Sequence, residues 1–325
     1  MNAPLTGLSP STYQRHPVHS EDREWAETNC YVDLWIELLH ALRLDPVAAM
    51  AFTLGMDFEG EQWSFFKFPL EDLRALWGFD VAELNIWLPL ERHLEEQLGQ
   101  GRTLIVELDS WFLPDTAGSA YHAEHVKTSV AAASIDVPAR RLGYFHGPGY
   151  FELEGDDFDG VLRRGTSLDP MVLPPYVEVV KLEQLERPSP ESLLRTAVEL
   201  TRTHVARRPR VNPASRFRER FARDLRWLTE EQPQLFHQYA FATLRQLGPC
   251  AELAATYLRW LAERGEAGLD GSVASWETIA TTAKVMQLKL ARAAAGRTVD
   301  FDSMLDTLER SWTDAMTPLV ARYGS

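Results

Sequence analysis

Two cysteines and nine histidines are the side chains of this chain best suited to act as nucleophile and base. Cys30 is the stronger nucleophile candidate. It follows Thr28-Asn29, either of which has the side chain to cap a helix, and it opens an amphipathic segment. In a first helical turn the unpaired N–H groups and the macrodipole favour an anion. That placement lowers a thiol's pKa and makes thiolate available near neutral pH. The same amides can hold an oxyanion, so the Cys30 N–H and the Asn29 side chain are the expected oxyanion donors. The competing reading makes Cys30 a small hydrophobe packed under the helix. Cys250 follows Gly248-Pro249 with no strand histidine nearby and reads as core.

A thiol nucleophile needs a base, and the base needs an orienting group. His40 and His93 fall on polar helix faces, His16 and His19 in an extended leader, and His204 and His237 in a helical region. His122, His125 and His146 lie together in a hairpin region, where His125 heads a strand and His146 ends the strand that returns. His125 is therefore the expected base, with His146 as one orienter. Asp109 competes for that role, because it interrupts an otherwise apolar strand and a carboxylate there needs a partner. A solvent-facing position beside Glu107 is the alternative for Asp109. His122 and His125 also have an H-x-x-H spacing, which Asp109 or Asp115 could complete as a metal site. No C-x-x-C or H-E-x-x-H pattern accompanies it, so no metal is expected. There is no phosphate-binding G-x-x-x-x-G-K-[ST], and neither Ser110 nor Ser129 lies in a G-x-S-x-G elbow.

The elements that must position these residues follow from periodicity. Tyr31, Leu34, Trp35, Leu38, Leu39 and Leu42 make one apolar stripe, which predicts a helix from Cys30 to Leu44 closed by Asp45-Pro46. Helices are expected at 47–54, 69–77 and 89–98, and a strand at 62–68. Strands are then expected at 103–113, 125–135, 141–146, 150–153 and 176–182. Past Pro188-Ser189-Pro190 the pattern is helical: 190–206, 214–230, 233–247, 250–264, 272–294 and 301–322. The expected fold is therefore α+β: a leader at 1–27, an α+β domain at 28–186 and a helical bundle at 187–325.

With 325 residues, 45% of them hydrophobic, the chain can bury one large core or two ordinary ones. The N-terminal stretch is polar, without an apolar signal region, and no run approaches a membrane span, so a cytoplasmic location is expected. A net charge of −14 argues against bulk nucleic-acid binding. Charge is uneven, however. Arg202, Arg207, Arg208, Arg210, Arg216, Arg218, Arg220, Arg223 and Arg226 face only Glu219 and Asp224 between 202 and 226. The stripe is either an anion-binding surface or a solvated helix face.

Three segments carry a resemblance. Thr28 to Trp35 (TNCYVDLW), Leu108 to Pro114 (LDSWFLP) and His125 to Asp136 (HVKTSVAAASID) resemble the N-terminal domain of butirosin biosynthesis protein H, over about residues 25–150. That protein is a papain-like acyltransferase moving an aminoacyl group from a carrier-protein thioester to an amine. A fuller pattern, including Tyr121 to Thr128 (YHAEHVKT), Arg141 to His146 (RLGYFH) and Phe236 to Leu247 (FHQYAFATLRQL), is similar to an uncharacterised bacterial family associated with amino acid:carrier-protein ligases.

The resemblance implies a papain-like domain with Cys30 as nucleophile and His125 as base, and His146 stands where the acyltransferases have a carboxylate. It implies a cysteine acyltransferase fed by an aminoacylated carrier protein. The phosphopantetheine arm would be the substrate and no cofactor would be bound. Carrier proteins are acidic, so Arg207, Arg208, Arg210, Arg216 and Arg220 are the expected docking residues. A thiol hydrolase with the same site, and a non-catalytic carrier-binding scaffold, are the alternatives.

Overall fold

Asn29 is where the leader ends and the first helix begins. Its backbone is extended and its side-chain oxygen accepts from Val32 N at 3.0 Å, so α1 runs Cys30–Ala41 with Cys30 as its first residue. The computed structural model describes residues 5–165 and 173–324; the first four residues of the expected leader and Ser325 lie outside that range. The chain forms two units. One comprises Met1–Ser20, Asn29–Pro46 and Leu73–Arg187, the other Glu21–Thr28, Val47–Asp72 and Pro188–Ser325. The expected leader is thus divided between the units, and 47–72 belongs with the helical one.

In the first unit, α1 is joined by α2 (Leu70–Trp77, its last turns), α3 (Leu90–Gly99) and α4 (Asp156–Val161). The strands are β1 (Asp80–Glu83), β2 (Thr103–Asp109), β3 (Lys127–Asp136), β4 (Arg141–His146), β5 (Gly149–Glu154) and β6 (Val177–Lys181). Among the described residues they make one antiparallel sheet in the order β1-β6-β2-β3-β4-β5. The unit is therefore α+β.

Alternation sends each strand's side chains to two faces. Leu104, Val106, Leu108, Val130, Ala132, Tyr144, Val177 and Val179 pack with Leu90 and Leu94 of α3 and Phe158 and Val161 of α4. On the other face a single register row crosses five strands: Glu178, Ile105, Ala131, Phe145 and Tyr150. α1 lies on this side. Tyr31 OH donates to Glu178 Oε2 at 2.7 Å near its start. Glu37, two turns later, holds Tyr13, whose ring packs on Phe145 and Tyr150.

The second unit contains α5 (Pro190–Arg207), α6 (Pro213–Glu230), α7 (Phe236–Ala242), α8 (Leu244–Glu263), α9 (Asp270–Ala294) and α10 (Asp302–Tyr323). Among the described residues no helix is long and apolar enough to cross a membrane.

Several expectations are corrected. The strand expected at 62–68 is absent, and a lone bridge pairs Phe58 with Trp63. The 47–54 helix is a 3-10 segment, Pro46–Gly55. The strand expected to reach Leu113 stops at Asp109, where the carboxylate accepts from Trp111 N at 3.1 Å and turns the chain into a 3-10 segment, Ser110–Phe112. The break expected at Gly248-Pro249 does not occur, because α8 continues through it and Gly248 lies against the Trp25 ring, where a Cβ would be 2.3 Å from a ring carbon. There the absence of a side chain serves close packing rather than a turn.

Candidate functional site

Strand register decides what faces what in the first unit. Asp109 pairs with Lys127 and Glu107 with Ser129, so Asp109, Glu107, Lys127 and Ser129 share the α1 face. His125, two residues before Lys127, meets Asp109: its Nδ1 is 2.7 Å from Asp109 Oδ2. The imidazole also stacks on Trp111, with centroids 4.5 Å apart and planes 11° apart. Asp109 therefore works through both oxygens. Oδ1 fixes the turn carrying Trp111, and Oδ2 fixes the ring that Trp111 covers. A neutral imidazole donating Nδ1–H to a carboxylate leaves Nε2 as the basic atom. The His125 side chain is 67% exposed, so the imidazole is open to solvent. Next to it, Lys127 Nζ donates to Glu107 Oε1 at 2.6 Å.

His146 is placed elsewhere. It shares parity with Tyr144, which faces α3 and α4, so it lies on the sheet face opposite α1. Its Nδ1 is 2.5 Å from Asp115 Oδ2 and its Nε2 is 2.8 Å from Thr128 Oγ1. Tyr144 OH donates to the other Asp115 oxygen. His146 is thus committed to a nearly closed network and does not reach His125. The group that holds His125 is Asp109.

Cys30 is half-buried at the start of α1, and among the described residues no hydrogen bond joins its Sγ to an imidazole. Asn29 is buried and its side-chain oxygen is engaged by the helix cap. Val32 N and Asp33 N of the first turn are bonded to the Asn29 side chain and carbonyl, so the Asn29 side chain, expected as an oxyanion donor, is occupied in the cap. His122 diverges from His125 and pairs with Asp157 at 3.3 Å, so the H-x-x-H spacing does not converge. Cys250 is fully buried, burial pushes its thiol well up, and its Sγ lies 3.8 Å from Thr53 O.

One constellation escaped the sequence reading. His19, fully buried, places Nδ1 2.5 Å from Glu37 Oε1 and Nε2 3.2 Å from Asp33 Oδ1. Glu37 also accepts from Tyr13 OH at 2.6 Å and from His16 N at 3.0 Å. Burial alone would lower the His19 pKa, but the hydrogen bonds that its ring donates to Asp33 and Glu37 outweigh it and raise it to about 9. His16 moves the other way, to about 4, through burial and the nearby His40. Asp33 and Glu37, four apart inside a helix otherwise apolar on its buried sides, were the available signal.

In the second unit the arginine stripe is partly neutralised. Arg216 pairs with Asp57 and donates to Phe58 O at 2.7 Å; Arg220 Nε donates to Asp224 Oδ1 at 2.6 Å. Arg218 is held by Asp306 and Glu309, and Arg208 donates to Val205 O. Arg207 and Arg210 are exposed and, among the described residues, make no ion pair.

Two family models divide the chain between residues 182 and 190, and the N-terminal one also spans 21–28 and 47–72, which group with the helical unit. The DUF1839 N-terminal domain matches residues 14–182 and the DUF1839 C-terminal domain matches residues 190–321. The chain belongs to this two-domain family of unknown function. Among curated proteins no match to the chain is found.

Proposed function

We propose that the chain is a papain-like cysteine acyltransferase acting on a carrier-protein thioester. The observation that supports it most is the Asp109–His125 pair with its Trp111 cover, a carboxylate–imidazole dyad open to solvent, on the sheet face that carries α1. In this reading His125 Nε2 takes the Cys30 thiol proton and Sγ attacks the thioester carbonyl carbon. The bond to the phosphopantetheine sulfur breaks, and that sulfur leaves with the proton from His125. An acceptor amine then attacks the acyl-Cys30 carbonyl, gives its proton to His125, and releases Cys30. Cys30 has to approach His125 when substrate binds, since catalytic hydrogen bonds often tighten only in the complex. The phosphopantetheine arm is substrate, and the exposed Arg207 and Arg210 are the arginines best placed to meet an acidic carrier.

A second reading, a carrier-binding protein without catalysis, draws on the lack of a hydrogen bond between Cys30 and an imidazole among the described residues. Intact-mass analysis after incubation with an aminoacylated carrier protein separates the readings. Transfer predicts an acyl adduct that is absent in Cys30→Ser and passes to an added amine. An adduct that only hydrolyses makes the protein a thioesterase-type hydrolase, and complex formation with no adduct makes it a binding protein.

A further inference from the structure

A cavity of about 800 Å³ opens in the first unit beside the end of β2, and Asp109 is part of its wall. Its body is apolar, built by Leu88, Leu90, Phe112, Leu162 and Pro174. The charged part of the lining is unbalanced: Glu91, Glu107, Asp109 and Asp159 against Arg163 and Arg164. A site of this size, mostly apolar with a few polar groups, is the ordinary form of a small-molecule pocket.

The carboxylates are not equally satisfied. Glu107 has Lys127 at 2.6 Å, Asp109 has His125 at 2.7 Å, and Asp159 has both Arg140 and Arg164. Glu91 has only Arg164 Nε at 3.5 Å, and its buried Oε2 makes no hydrogen bond among the described residues. Oε2 is sealed from solvent, so a ligand meets Glu91 at the 14% of its side chain that stays exposed, and the Glu91–Arg164 pairing at 3.5 Å is the longest among these carboxylates. The two guanidiniums are less available: Arg164 is shared by Glu91 and Asp159, and Arg163 Nη1 donates to Leu173 O at 2.9 Å.

We infer that this cavity binds a primary amine with an apolar body, its ammonium directed at Glu91. Binding does not require the acyl-transfer reading, although the cavity's contact with Asp109 would place such a ligand beside that site. The test uses hexylamine, hexan-1-ol and hexanoate as probes, measured by isothermal calorimetry on the full chain at pH 7. The expected result is hexylamine binding about tenfold more tightly than hexan-1-ol, with hexanoate weakest. Glu91→Gln should weaken hexylamine about tenfold and leave hexan-1-ol unchanged. Leu88, 39% exposed at the cavity wall, permits a second variant that does not depend on Glu91. Leu88→Trp should narrow the cavity and weaken both ligands. Cys30→Ser should bind hexylamine as the native chain does, so loss of transfer and loss of binding are read separately. Hexanoate binding as tightly as hexylamine, or hexylamine binding that is undetectable or indifferent to Glu91→Gln and Leu88→Trp, overturns the inference.

Discussion

His125 and His19 are both imidazoles held by carboxylates in the same unit, and they differ almost completely in solvent access. His125 has one carboxylate and one covering ring, with its side chain 67% exposed. His19 has carboxylates on both nitrogens and no exposed surface. The first arrangement leaves an atom free to take and return a proton. The second uses both nitrogens to tie the leader to α1, and the energetic consequence of losing it is set by two buried acids. His146 lies between them, with one nitrogen on Asp115 and the other on the Thr128 hydroxyl. The same pair of residue types therefore leaves an exposed imidazole in one place and a closed structural tie in another, and burial decides which.

The largest expected effect belongs to the buried cluster. His19→Phe leaves Asp33 and Glu37 buried without their cation, and should cost about 3–5 kcal/mol in urea unfolding. An unchanged urea midpoint would mean that the leader is not held by this cluster.

The same cluster gives a pH signature. The unfolded imidazole titrates at 6.5 and the folded one at about 9, so the folded state binds the proton more tightly. The stability it contributes is full below 6.5, declines as the pH rises through about 9, and is gone above that. The stability difference between the native chain and His19→Phe should therefore shrink across that window in urea titrations at stepped pH. A constant difference would show that His19 is not protonated in the fold.

At the exposed dyad the expectation reverses, with activity changing and stability not. Asp109→Asn should lower acyl transfer about 100-fold or more, within the range general acid–base groups contribute, while the melting temperature barely moves. A parallel loss of both would make the dyad structural. His146→Ala, leaving Asp115 with only Tyr144, should cost about 1–3 kcal/mol and alter transfer only through the fraction folded. If His146→Ala instead matched Asp109→Asn in transfer while remaining folded, the role assigned to Asp109 would fail. The smallest effect is expected for Trp111→Ala, which removes the ring contacts with His125 and His122, worth about 1 kcal/mol, and loosens His125. Its reading is a rise in transfer KM or a fall in kcat with the fold intact.

Much of this was legible before the fold. The α1 stripe, a cap at Thr28 or Asn29 and the β2 to β6 alternation are local properties, and local periodicity is what a chain displays most plainly. Elements with little periodicity were missed: β1 is only Asp-Val-Ala-Glu, and α4 opens with two aspartates. Gly248-Pro249 was read as a break because the Trp25 ring that packs there is 223 positions away in the chain.

The sequence by itself determined the candidate nucleophile at a helix start, a strand-head histidine, and two possible orienters, because each depends only on neighbours a few residues away. Which orienter meets His125 was decided by the tertiary structure. Strand register places Asp109 and His125 on one face of the sheet and turns His146 to the other, and a one-residue shift would have reversed that assignment. The His19 cluster depended on the tertiary structure too, since only packing brings the leader's imidazole onto Asp33 and Glu37 and removes all three from water.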